Sequence, residues 1–174
     1  MRPTPLSLAA LLALAPLMMG AAPRTPPTQV LHVHVEFSFG GHGTTFKDED
    51  LFVNSSRLVT SVVVTNQTAS PYSHYWVPET SSRVAKPQTF AALLKSLAAN
   101  QVESQTGNCT VGVHIAPTGG TYELTWYNGS RRGTFSVDIG STTTCPPEIP
   151  RIINSINTFA VKSGARGFGI PVDP

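Results

Sequence analysis

Two histidines spaced two apart, His32 and His34, with Glu36 two further on, are the residues of this chain best equipped for chemistry. Alternate residues of a β-strand project from one face. The H-x-H-x-E spacing therefore sets two imidazoles and a carboxylate side by side. Imidazole nitrogen and carboxylate oxygen are both zinc ligands, so His32 and His34 are the candidate metal-ligating pair. A third protein ligand has to come from His42, His74 or His114, none of which the sequence can place. The simpler reading makes His32, His34 and Glu36 the polar side of a strand whose other side is Leu31, Val33, Val35 and Phe37. On that reading the protein has no metal and no cofactor.

Other groups with chemical potential read more plainly still. Gly40-Gly41-His42-Gly43 is glycine-rich but lacks the lysine and the following helix of a phosphate loop, and reads as a flexible strand exit. Asp48, Glu49 and Asp50 are adjacent acids of the kind that mark a solvated turn. No G-x-S-x-G, H-E-x-x-H or S-x-x-K motif occurs. Nothing argues for a catalytic residue, and a non-enzymatic protein is expected. The best binding candidate is the aromatic stretch between Pro71 and Pro78, with Tyr72, His74, Tyr75 and Trp76. Exposed Tyr and Trp bury much area at little entropic cost on recognition surfaces. The competing reading folds Tyr75, Trp76 and Val77 back over the core as a lid. A formal net charge of +2 leaves no basic surplus for a nucleic-acid partner, and Arg131-Arg132 reads as a solvated hairpin tip. The sequons at Asn54, Asn66, Asn108 and Asn128 are read as silent, products of a Ser/Thr-rich composition.

The beginning of the chain sets where any such chemistry operates. Arg2 precedes an uncharged apolar run from Leu6 to Met19, and Gly20, Ala21 and Ala22 follow. This is the layout of a secretory signal peptide over residues 1–22; the run is short for a bilayer span. Export to the periplasm or the medium is expected, with no transmembrane segment in the mature chain. In that setting Cys109 and Cys145 are expected to form a disulfide.

The elements that position these residues follow from period and punctuation. Residues 23–29 are a Pro-rich lead-in. Leu31 to Phe39 alternates as a strand, Leu51 and Val53 suggest a second, and Arg57 to Thr65 a third. Residues Asn66 to Arg83 read as a long loop. A helix opens at Pro87, with Phe90, Leu93, Leu94, Leu97 and Ala98 on one face. Val111, Val113 and Ile115, then Tyr122, Leu124 and Trp126, then Phe135, Val137 and Ile139 alternate as strands. Asn128-Gly129 turns between the last two. A second helix begins after Pro146-Pro147, carries Ile149, Ile152, Ile153, Ile156 and Ala160 on one stripe, and ends at Gly164. The fold class expected is α+β: a single domain over residues 30–164, with an antiparallel sheet covered on one face by two amphipathic helices. Residues 165–174 read as a flexible tail.

Over Leu31 to Lys162 this layout resembles the emfourin-like small bacterial proteins, a family of metalloprotease inhibitors and their relatives. The resemblance rests on a strand ending in Phe39-Gly40-Gly41-His42-Gly43, a Leu-rich helix from Phe90 to Leu97, a Tyr122-Glu123-Leu124-Thr125 strand and a final helix after Pro147. It departs in the leader, the Cys pair and the glycine before Thr121-Tyr122. The resemblance implies a protease-inhibitor-like role and transfers no functional residue. The expectation is a secreted or periplasmic binding protein with a protein partner. Two alternatives stand beside it: a structural or stress-related envelope protein with no discrete ligand, and a zinc enzyme using His32 and His34.

Overall fold

The first alternating run becomes the middle of the molecule. In the computed structural model, which describes residues 28–39, 45–70, 73–113, 117–165 and 168–169, strand β1 (Gln29–Phe39) has neighbours on both sides. It pairs antiparallel with β2 (Thr45–Asn54) and with β6 (Pro117–Asn128). Beyond β2 come β3 (Leu58–Ser70) and β4 (Ser73–Val84), and beyond β6 come β7 (Arg131–Gly140) and β5 (Thr110–Gly112). The sheet has seven strands in the order β4-β3-β2-β1-β6-β7-β5. The antiparallel expectation holds for every pair but one, since β5 runs parallel to β7.

Period two divides the sheet cleanly. Leu31, Val33, Val35, Leu51, Val53, Tyr122 and Leu124 are fully buried on one face, with Phe37, Val59, Val63, Phe135, Val137 and Ile139 beside them. Two helices cover that face. Helix α1 (Pro87–Ala99) buries Leu93 and Leu97 and packs Phe90 on the core, whereas Leu94 stays exposed. Helix α2 (Glu148–Ser163) buries its whole isoleucine stripe with Phe159 and Ala160. Phe90 and Phe159 meet at 6.4 Å between ring centroids where the helices touch. Gly164 closes α2 at φ 78, the left-handed conformation that glycine adopts without a Cβ penalty.

The Cys109–Cys145 disulfide is formed and joins the start of β5 to the approach to α2. Around it the Ser/Thr linker completes the sheet edge. The Thr144 and Thr143 hydroxyls accept from the N–H groups of Thr110 and Gly112 at 2.9 Å. A short edge strand with its outer donors satisfied offers little template for a foreign strand.

Three expectations need correction. Asn66–Arg83 is no long loop. Residues 66–70 complete β3 and residues 73–84 form β4, paired from Ser70↔Ser73 back to Leu58↔Val84. From Pro78 to Val84 this strand is exposed or half-exposed on both faces, so it carries no apolar alternation. Pro78 is tolerated because β4 is an edge strand. Asp48, Glu49 and Asp50 lie within β2 and form no turn. The segment expected to be a loose tail brings Ala165 and Phe168 into the core. The expectations for residues 1–27, Gly40–Gly43, Tyr72, His114, Ile115, residues 166–167 and residues 170–174 concern positions outside the described residues.

Candidate functional site

The face away from the helices holds the candidate site. Antiparallel register sets His34 opposite Asp50 on one side and opposite Glu123 on the other. One step along, Glu36 faces Asp48 and Thr121, and Thr121 faces Asp138. Five of the chain's ten acidic residues (Glu36, Asp48, Asp50, Glu123 and Asp138) therefore share this open face with His32 and His34. Among the described strand residues of this face the one cation is Arg132, which lies over the Tyr127 ring at the far end of β6. A chain of net charge +2 thus carries a concentrated negative field on one side.

At the centre of this face the side chains touch. His32 Nε2 lies 2.7 Å from Asp50 Oδ1, a hydrogen bond in which the carboxylate accepts. His34 Nδ1 lies 3.3 Å from the same oxygen and 3.6 Å from Asp48 Oδ1. The His32 ring stacks on Phe52 with centroids 4.4 Å apart and planes 9° apart, which fixes its plane. His34, Asp48 and Asp50 each offer a ligand atom, all within 4.8 Å of one another. The side chains of His32, His34, Asp48 and Asp50 are all 30–40 % exposed, so water and ions reach them from outside.

The sequence found His32 and His34 but looked for their partners among His42, His74 and His114. The structure supplies Asp48 and Asp50 instead. A hairpin that pairs position 34 with position 50 also pairs 36 with 48, and that register was the signal available to find them. Of the aromatic stretch, His74, Tyr75 and Trp76 lie in β4 opposite Thr68, Gln67 and Asn66, three strands away from β1.

A second polar group sits on the covered face. Glu49 is fully buried, ion-paired with Lys47 and hydrogen-bonded from the Gly169 N–H at 2.8 Å. Burial pushes its carboxyl above the usual range, against the attraction of Lys47. The Tyr122 hydroxyl, buried without a partner among the described residues, is pushed up by burial and by the charge of Glu49. Fully buried, Glu49 tethers the segment after α2 to the sheet, which is a structural role. A groove of about 700 Å3 runs between α1 and α2, lined by residues such as Gln88, Ser96, Arg151 and Ser155. It gathers no cluster of titratable side chains comparable with that of the open face.

No protein-family model matches the sequence, and no characterised protein matches it significantly.

Proposed function

We propose that this chain is an exported, non-enzymatic binding protein that meets its partner across the uncovered face of the sheet. The observation that carries the reading is the gathering of half the acidic residues with two imidazoles on the sheet face opposite α1 and α2. The helices and the core stabilise that surface and contribute no group to it. The disulfide is the covalent clamp expected of a domain that works outside the cytoplasm, and no helix among the described residues is long and apolar enough to cross a membrane. The partner's contact surface is cationic, since complementarity of charge steers association and selects partners.

Affinity capture from the native secretome tests the reading, using the wild-type protein and an Asp48→Asn/Asp50→Asn variant. A stoichiometric partner retained by the wild type and lost from the variant supports it. Equal retention by both removes the open face from the account. Diffuse association with envelope material by both proteins would favour a structural role. Where the partner is a metalloprotease, tight stoichiometric inhibition supports the protease-inhibitor-like version, and inactivity across a protease panel removes that version alone.

A further inference from the structure

The geometry points to a divalent-metal site on the open face: a zinc-type ion held by His34 Nδ1, Asp48 and Asp50, with His32 positioning Asp50. This deepens the reading of that face as a binding surface and rests on it only for what fills the remaining coordination position.

Bonds from zinc to nitrogen and to carboxylate oxygen of about 2.0–2.2 Å at tetrahedral angles put neighbouring ligand atoms about 3.4 Å apart. His34 Nδ1 lies 3.3 Å from Asp50 Oδ1 and 3.6 Å from Asp48 Oδ1. The first is also a long hydrogen bond; both are close to the edge length of a tetrahedron around one cation, and the Asp48 and Asp50 ligand oxygens lie within 4.8 Å of each other. Nδ1 of His34 can aim a single proton well at only one of the two oxygens, whereas one ion satisfies both together with the nitrogen. The 2.7 Å contact of His32 with Asp50 is of another kind. It is too short for two ligands of one ion and right for a hydrogen bond that orients a ligating carboxylate. Stacking on Phe52 holds the His32 ring for that task.

The donor set selects the metal. Calcium takes six to eight oxygen ligands, whereas one imidazole with two carboxylates suits zinc and its neighbours. Glu36 and Glu123, which flank Asp48 and His34 in the register, add negative field without entering the triad. All three ligands stand on two adjacent strands of one face, so the fourth position points outward. Water fills it in the free protein, and a donor group from a partner can replace that water.

Calorimetric titration of the metal-free full chain with zinc chloride, and separately with calcium chloride, tests the proposal. One zinc per chain is expected, with no comparable uptake of calcium. His34→Ala and Asp50→Asn each abolish the site, and His74→Ala leaves it intact. His32→Ala weakens zinc about 10- to 100-fold at unchanged stoichiometry, and His32→Gln, which keeps a hydrogen-bond donor toward Asp50, recovers part of the loss. Both ligand positions are about one-third exposed, so these variants fold, as circular dichroism will check; Asp48→Asn provides a further independent ligand variant. A wild type that takes up no zinc, a His34→Ala protein that binds like wild type, or calcium binding in place of zinc overturns the site. Partner capture in the presence of EDTA separates the two readings. Capture that survives EDTA upholds the face and denies that the ion bridges the partner, and zinc uptake with no partner capture upholds the site and denies the face.

Discussion

Replacing Cys109 and Cys145 together by serine removes the one covalent clamp of the fold. The bridge spans a sequence separation of 36 residues. Closing a loop of that length costs the unfolded chain about 13 cal/mol/K of entropy, or about 4 kcal/mol at 25 °C. Typical domains are stable by only about 5–15 kcal/mol, so the loss is a large fraction of the total. For a chain of this size it corresponds to a fall in melting temperature of about 8–15 °C. The damage has a location as well as a size. Cys109 leads into the three-residue β5, whose outer donors depend on Thr143 and Thr144, and Cys145 leads into α2. Calorimetry of wild type and variant gives the magnitude, and hydrogen exchange gives the location. Amides of Thr110, Gly112 and Val113 are expected to lose protection before those of β1. A fall of under about 3 °C, equivalent to less than about 1 kcal/mol, or uniform loss of protection across the sheet, would refute the reasoning.

Other consequences follow from single positions. Burial holds the Glu49 carboxyl above its ordinary range, so the folded state retains that proton more readily than the unfolded state. Its contribution to stability is therefore greatest below the ordinary carboxyl range and declines as pH rises through the elevated folded value. The melting temperature of Glu49→Gln relative to wild type should shift in favour of the variant between pH 4 and pH 7, and a difference independent of pH would contradict this. Ile153 is fully buried in α2, and Ile153→Ala should cost about 2–5 kcal/mol in denaturant unfolding; a cost under about 1 kcal/mol would mean that α2 does not fill the core as described. A Cβ at Gly133 would collide with the Trp126 indole, so Gly133→Ala should lower the melting temperature and perturb Trp126 fluorescence, whereas Gly129→Ala, at the exposed hairpin tip, should leave that fluorescence unchanged.

What could be read from the residues depended on how each element meets water. β1, β6, β7 and both helices were legible because each has one buried and one exposed side, which writes a period into the sequence. β4 was not, because its residues from Pro78 onward are exposed or half-exposed on both faces and leave no alternation. β2 was half hidden for a different reason: Lys47 and Glu49 take core-facing positions that in a legible strand hold apolar residues, and their ion pair compensates on the covered face. Mistaking Asp48–Asp50 for a turn followed directly, and with it the partners of His34 were lost. The parallel β5 is too short to announce a direction and is held by the disulfide and two threonine hydroxyls, which are long-range contacts. His32 and His34 were visible as a pair; the carboxylates facing them are a property of strand register.

Methyl and imidazole NMR on the complex with the captured partner tests the division of labour between the two sides of the sheet most directly. Val62 and Val64 lie on the open face beside Asp50 and Asp48, whereas Leu94 and Val161 are exposed on the helices. Shifts concentrated in Val62, Val64, His32 and His34, with Leu94 and Val161 unmoved, are the predicted result. Perturbation of the helix methyls with the open face silent would contradict it.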